Sequence, residues 1–118
     1  MTEPFSFTQY QLTAHKSAKV TLEGRNQSER LCSLSLGLAG ETGEAINKIK
    51  KVVYGKELTE ESRKAICEEL GDVLWYLSEL SLELQSTLQE VAIKNNRKTI
   101  LRLERNMVVG EGDDREKL

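Results

Sequence analysis

The chain has 118 residues, of which 38% are hydrophobic and 31% are charged, and its formal net charge is -2. This length fits one domain, residues 1–118, with a modest core, and the charge is not that of a protein that coats nucleic acid. The two cysteines lack metal-ligand spacing, and the chain has neither a signal peptide nor an apolar run long enough to span a bilayer. We therefore expect a cytoplasmic domain with reduced thiols and with no nucleic-acid or membrane partner.

The first half of the chain predicts two helices, because the short alternating runs that are typical of strands are absent. The first is expected from about Thr8 to Thr21, and a short loop follows it. The second begins near Ser28, which is a plausible N-cap. It continues to about Tyr54, where Gly55 provides a C-terminal stop.

The second half predicts two further helices. Thr59 is expected to cap a third helix, with two glutamates in its first turn, that ends near Leu84. After a short break, Thr87 and the acid three residues later have the spacing of a capping box, and the fourth helix ends near Asn106. The charged tail from Gly110 is expected to be disordered on composition. The sequence therefore predicts an all-α, four-helix bundle-like domain, whose core is small enough to be completed by dimerisation.

Two acidic pairs lie in phase with the apolar stripes of the two long helices. At about 100° per residue, Glu41 falls within the stripe of the second helix and Glu44 on its flank. Glu69 and Asp72 repeat this arrangement on the third. The apolar residues that share these faces are Leu34, Leu38, Ala45 and Val52 on the second helix, and Ile66, Val73, Tyr76 and Leu80 on the third. An ionised group in such a stripe is costly unless something compensates its charge.

If the two stripes pack face to face, the four carboxylates meet, and a cation or protons must neutralise them. Carboxylate oxygens are hard ligands that suit Mg²⁺ or Mn²⁺, and helix bundles build inward-facing carboxylate metal sites. The alternative is ordinary solvated charge, because nineteen residues are acidic. Glu79 and Glu83, for example, are interpreted as surface charge. Phase alone leaves both interpretations open.

The residues around the acidic pairs resemble the signatures of the MazG-like all-α nucleoside triphosphate pyrophosphohydrolases. Residues 36–44, LGLAGETGE, match an ExxE motif, and residues 68–77, EELGDVLWYL, match an ExxD motif. Further along, Asn95, Lys98 and Arg102 match an NxxK pattern followed by an arginine.

Smaller features extend the resemblance over nearly the whole chain. Thr99 departs from the leucine that is usual in the downstream pattern. Tyr10 and Gln11 near the start, and residues 110–115, GEGDDR, resemble a short branch of the family that is often of phage or bacterial origin. That tail is the one segment that composition alone assigns to disorder, although it could also fold over the site.

The resemblance implies Mg²⁺-dependent hydrolysis of a nucleoside triphosphate to the monophosphate and pyrophosphate, with Mn²⁺ as a possible substitute. It implies that the catalytic and metal-binding residues are Glu41, Glu44, Glu69 and Asp72. It also implies that the phosphates or the sugar are contacted by Asn95, Lys98 and Arg102. Members are usually oligomers with sites near subunit interfaces, so a homodimer or homotetramer is expected.

Other residues near the motifs have two interpretations each. Lys48 meets a substrate phosphate or forms a salt pair with Glu44. Trp75 stacks on the base or belongs to the core. Mid-helix glycines at Gly40 and Gly43 suggest a close helix approach or room for a ligand, since glycine is unfavourable there. No chemical role is expected for the single histidine, at position 15, or for the cysteines.

Two alternatives to a pool-controlling or house-cleaning enzyme are left. Phosphoribosyl-ATP pyrophosphohydrolase of histidine synthesis shares the superfamily and the reaction type, but the GEGDDR tail and Tyr10-Gln11 favour the former. A non-catalytic helical dimerisation or regulatory module is the other alternative. The intact acids argue against it, because a scaffold has no need of Glu41 in an apolar stripe. The sequence does not specify the base or the sugar.

Overall fold

The structure, a computed structural model, describes residues 4–55 and 57–106, and over these ranges it is all-α. The helices are α1 (Phe7–Thr21), α2 (Gln27–Val53), α3 (Glu60–Glu83) and α4 (Leu88–Glu104). The predicted fold class is confirmed. None of the described helices is long and apolar enough to cross a membrane. The tail from Gly110, with its expected disorder and its family-like motif, lies outside the described residues.

The helix starts follow from local capping, with one difference from the prediction. Thr59 caps α3 as expected, and its hydroxyl accepts a hydrogen bond from the amide of Ser62 at 3.1 Å. The predicted cap of α2 at Ser28 is wrong. Asn26 has the extended backbone of a cap, and its side-chain oxygen accepts from the amide of Glu29 at 2.9 Å. Because asparagine satisfies an amide at the helix start as well as serine does, the helix begins earlier.

Residues with a positive φ angle follow the ends of α2, α3 and α4. Gly55, after α2, has φ 144°, a conformation that side chains rarely adopt. Gln85, in the expected break between α3 and α4, has φ 60°. Asn106, expected as the end of the fourth helix, has φ 56° and lies just beyond the observed end at Glu104.

The chain divides into two compact units, residues 1–88 and residues 89–118. In the first unit α2 packs along α3, and α1 packs on α3. Two contacts show that α2 and α3 run antiparallel, because Arg30 pairs with Glu83 and Lys48 pairs with Glu69. The core is small and consists of Ala18, Leu22 and Leu34, packed against Trp75, Tyr76 and Leu80.

A buried polar contact fixes α1 to α3. Gln11 is 7% exposed, and its Nε2 donates to the carbonyl oxygen of Ser78 at 2.8 Å and to the hydroxyls of Ser78 and Ser81 at 3.1 Å. Its Oε1 accepts from the amide of Leu88 at 3.3 Å. Gln11, one half of the Tyr10-Gln11 feature, therefore has a structural role.

The close approach between α2 and α3 occurs at Gly37, rather than at Gly40 or Gly43 as the sequence suggested. A Cβ atom at Gly37 would lie 2.1 Å from a ring carbon of Tyr76. A Cβ atom at Gly40 or Gly43 would meet nothing within 4 Å. Only glycine at position 37 leaves room for the tyrosine ring.

Candidate metal centre

Three of the predicted carboxylates converge where α2 and α3 pack together. Glu41 comes from α2, and Glu69 and Asp72 come from successive turns of α3. Each offers an oxygen, and these three oxygens lie within 4.8 Å of one another. The antiparallel packing of two helices, each with an acid in its apolar stripe, brings them together as the phase argument anticipated.

Glu44, the fourth predicted carboxylate, is not part of this group of oxygen atoms. Its side chain is exposed on α2, one turn after Glu41. Its negative charge is nevertheless close enough to contribute to the raised pKa of Glu41. Glu44 therefore borders the group that Glu41, Glu69 and Asp72 form.

The shared charge changes the protonation of the cluster. The pKa of Glu41 is raised, first because its side chain hydrogen-bonds to Glu69, and then by burial and by the charge of Asp72. The pKa of Glu69 is lowered, first by its hydrogen bond with Lys48 and then by that with Glu41. The hydrogen bond between Glu41 and Glu69 thus favours the protonated form of Glu41 and the ionised form of Glu69, which relieves part of the repulsion between the carboxylates.

Lys48 supplies the other compensating charge. Its Nζ lies 2.6 Å from Glu69 Oε1, and this contact raises the pKa of the lysine. The salt pair expected with Glu44 therefore forms with Glu69 on the facing helix instead. Lys48 also lines a cavity of about 380 Å³ together with Lys51 and Thr59. This cavity lies beside the carboxylates, towards the N-terminal end of α3.

The donor set fits a hard divalent cation. All three convergent ligand atoms are carboxylate oxygens, which Mg²⁺ and Mn²⁺ prefer, and no sulfur or imidazole lies in the group. The raised pKa of Glu41 and the ammonium of Lys48 both reduce negative charge that a cation would otherwise neutralise. Glu41, Glu69 and Asp72 are therefore the residues that would hold a metal ion.

Trp75 lies one turn after Asp72 on α3. Its indole Nε1 donates to the hydroxyl of Ser17 on α1 at 2.9 Å, and its ring meets Tyr76 edge-on, with ring centres 4.9 Å apart and planes at 80°. It is half-buried, and with Phe5 and Tyr10 it lines a cavity of about 270 Å³. One part of its ring packs against the core, while another part faces this cavity.

Two titratable residues, one on α1 and one on α3, have a different environment from the expected one. Glu79, interpreted from sequence as surface charge, is only 3% exposed. His15, for which no role was expected, places Nδ1 3.1 Å from Glu79 Oε2. The signal was present in the helical phase, since Glu79 follows Asp72 by seven residues, or two turns, and so lies on the same face of α3.

Asn95, Lys98 and Arg102 lie on α4, which belongs to the second unit and is described by itself. Asn95 is exposed, and Lys98 and Arg102 are partly buried. Thr99, the departure from the family pattern, bonds its hydroxyl to the carbonyl oxygen of Asn95 at 3.1 Å. The substitution is therefore accommodated within the helix.

Comparison with known proteins identifies the same family that the sequence motifs resemble. The family model described as the MazG nucleotide pyrophosphohydrolase domain matches residues 29–106. A relative, the Gene 37 protein of Mycobacterium phage L5, is 38% identical over 109 residues, which cover 90% of this chain and 96% of that protein. No solved structure was found to match the chain.

Proposed function

Because the chain belongs to the MazG nucleotide pyrophosphohydrolase family, we propose that it hydrolyses nucleoside triphosphates to the monophosphate and pyrophosphate with Mg²⁺, or with Mn²⁺ as a substitute. The observation that carries this proposal is the convergence of Glu41, Glu69 and Asp72 within 4.8 Å. Control of a nucleotide pool, or removal of unwanted nucleotides, is the role that suits such a reaction. The exposed, unpaired cysteines suit the reducing cytoplasm.

In this proposal the task of the carboxylates is to hold the metal ion. Glu41, Glu69 and Asp72 hold the metal, and Glu44, at the border of the group, completes the set. The bound metal would neutralise charge on the triphosphate and lower the pKa of an attacking water. A carboxylate that such a metal left unsaturated would accept the proton of that water. Because its pKa is raised, Glu41 would bind a metal in competition with a proton.

Lys48 supports the binding of the polyanionic end of the substrate. If a cation neutralised Glu69, the ammonium of Lys48 would be released from its ion pair and would be available to a phosphate oxygen. Lys51 lines the same cavity and adds a second positive charge. Further substrate contacts in this proposal come from Asn95, Lys98 and Arg102 of α4, on the basis of the family pattern, and from Trp75 beside the carboxylates.

We further propose that the active form is a homodimer or homotetramer. Large hydrophobic side chains are exposed on the described helices, which a soluble chain normally covers. On α2 they include Leu36, Ile46, Ile49 and Val53, which are 43% to 70% exposed. A second copy of the chain would cover these side chains.

The direct test is pyrophosphate release from a panel of standard and modified nucleoside triphosphates, with phosphoribosyl-ATP included, in Mg²⁺ and in EDTA. We expect turnover in Mg²⁺ and none in EDTA. Glu41→Gln and Asp72→Asn should abolish turnover while circular dichroism shows an intact helical protein. Glu61→Gln, in the exposed first turn of α3, is the matched control and should keep full activity. Absence of metal-dependent turnover on every substrate would refute the enzyme proposal.

A further inference from the structure

Glu79 is a buried carboxylate with only one of its two oxygens satisfied. Its side chain is 4% exposed, and Oε2 lies 3.1 Å from Nδ1 of His15. Oε1 is buried and has no hydrogen-bond partner among the described residues. A buried acceptor without a donor is unfavourable, and native structures seldom leave one in that state. Glu79 Oε1 therefore requires a donor that the described part of the chain does not supply.

The unsatisfied oxygen belongs to a residue that lines a cavity. The cavity measures about 330 Å³, and its wall includes His15, Ala18, Leu22 and Arg25 besides Glu79. Ala18 and Leu22 contribute apolar surface, and the wall also carries Lys19, Arg30 and Glu83, of which Arg30 and Glu83 pair with each other. The guanidinium of Arg25 donates to the hydroxyl of Ser33 at 2.7 Å. Glu79 thus brings to this wall a carboxylate with one unpartnered oxygen.

The position of this cavity relates it to the metal centre. Seven residues of α-helix rise about 10 Å, and this separates Glu79 from Asp72 on the same face of α3. That span is comparable to the distance from the α-phosphate of a nucleotide to the outer edge of its base. Glu79 and Asp72 therefore lie two turns apart along one face of α3.

The two sides of the carboxylates differ in a way that gives the substrate a direction. Lys48 and Lys51 lie towards the N-terminal end of α3, where the helix dipole also favours anions. Towards the C-terminal end follow the aromatic rings of Trp75 and Tyr76, and then Glu79. Lys19, Arg25 and Arg30 lie on this second side too, but Arg30 pairs with Glu83 and Arg25 donates to Ser33. The aromatic rings, which can stack on a base, therefore favour the nucleoside on the second side and the phosphates on the first.

We propose that Glu79 Oε1 accepts a hydrogen bond from the exocyclic amino group of the substrate's base, so that the chain prefers cytosine and adenine nucleotides. This inference rests on the proposed function, because it assigns the substrate class of the same site. Glu79 acts here as a specificity-determining residue, and it takes no part in the chemical step.

The chemistry of the bases explains the preference. The amino groups of cytosine and adenine donate hydrogen bonds, whereas thymine and uracil present a carbonyl oxygen at the equivalent position. A carbonyl facing the unpartnered carboxylate oxygen would oppose two acceptors and leave both unsatisfied. Guanine offers two adjacent donors that match both oxygens of a carboxylate, but His15 already occupies Oε2. One available oxygen suits one amino group.

The first experiment uses the unmodified protein and changes single groups of the substrate. The measurement is kcat/KM in Mg²⁺ for dCTP against dUTP, and for dATP against dITP, because each pair differs by an amino group replaced with a carbonyl. The corresponding ribonucleotides are assayed in parallel. We expect the amino-bearing member of each pair to be favoured by about tenfold or more. Equal values within each pair would overturn the inference.

The second experiment changes the acceptor. Glu79→Gln retains the size of the side chain but adds an amide donor, which a carbonyl-bearing base can use. We expect the dCTP preference over dUTP to fall by about tenfold or to reverse, with dichroism and the unfolding midpoint confirming the fold. Glu61→Gln, the exposed control on the same helix, should retain the wild-type ratio. An unchanged ratio in Glu79→Gln would also contradict the inference.

A binding measurement separates failure of this inference from failure of the proposed function. Calorimetric titration of the wild-type protein with dCMP and dUMP needs no turnover. Tighter binding of dCMP, lost in Glu79→Gln, would support base recognition even if no triphosphate were hydrolysed. The opposite outcome is turnover of triphosphates without a base preference, together with equal binding of dCMP and dUMP. This outcome would leave the enzyme proposal intact. It would show that Glu79 Oε1 does not recognise the base.

Discussion

Replacing Gly37 with alanine tests the packing of α2 on α3. The new methyl carbon would lie 2.1 Å from a ring carbon of Tyr76, whereas carbon atoms in contact lie about 3.5–4.0 Å apart. The ring must move away, and with it goes its edge-on contact with Trp75. Overpacking costs about 1–3 kcal/mol, and an aromatic pair contributes about 0.5–1.5 kcal/mol. The better helix propensity of alanine offsets about 1 kcal/mol of this destabilisation.

We therefore expect Gly37→Ala to lower the free energy of unfolding by about 1–3 kcal/mol. The control is Gly40→Ala on the same helix, where the new methyl meets nothing within 4 Å. That variant should gain about 0.5–1 kcal/mol from propensity alone. Urea denaturation followed at 222 nm measures both, at one protein concentration because an oligomer's stability depends on it. A Gly37→Ala variant as stable as Gly40→Ala would refute the proposed close packing.

Three further predictions concern the polar groups. Gln11→Leu removes the donor to Ser78 and leaves buried polar groups unsatisfied. The free energy of unfolding in urea should therefore fall by about 2–5 kcal/mol. A loss below about 1 kcal/mol would contradict the structural role of Gln11. Lys48→Met should lower the unfolding midpoint in EDTA, because the ion pair with Glu69 is lost. The same variant should bind Mg²⁺ several-fold more tightly in calorimetry, because the ammonium that competes for Glu69 is gone. Weaker Mg²⁺ binding by the variant would contradict this competition. Since the pKa of Glu41 is raised in the folded protein, its contribution to stability in EDTA is present at low pH and is lost as the pH rises through that pKa. A Glu41→Gln variant should lack this part of the pH dependence of the unfolding midpoint, and an identical profile would contradict the assignment.

The fold class followed from the absence of strand-like runs and from the helix caps and stops. Helical phase placed three members of the carboxylate group on facing stripes, and the family motifs favoured a metal site over surface charge. Glu41 and Glu69 are anomalous in apolar stripes, and any packing of those stripes brings them together. The same reasoning could not place Glu44, because a residue on the flank of a stripe can turn towards the facing helix or towards solvent. It also could not choose the partner of Lys48, since a long side chain reaches acids on its own helix and on the next one.

Glu79 shows why a buried charge is harder to predict from sequence. The same phase argument that selected Asp72 also applies to Glu79, two turns later, but its neighbours in the sequence are serines and leucines that give no motif. Its burial depends on α1, which lies far away in the chain and covers this part of α3 with His15. Contacts between distant segments of this kind do not follow from periodicity. The cap of α2 is a more local case, where Asn26 and Ser28 are both good N-caps and the chain uses the first.

Two features of the carboxylate group reduce the repulsion between its members. The hydrogen bond with Glu69 raises the pKa of Glu41, and the ammonium of Lys48 pairs with Glu69. In the proposed function a divalent cation would take over both tasks. Glu41 would then bind the cation in its ionised form, and Lys48, released from Glu69, would be available to a phosphate. On this proposal cation binding and phosphate binding should favour one another.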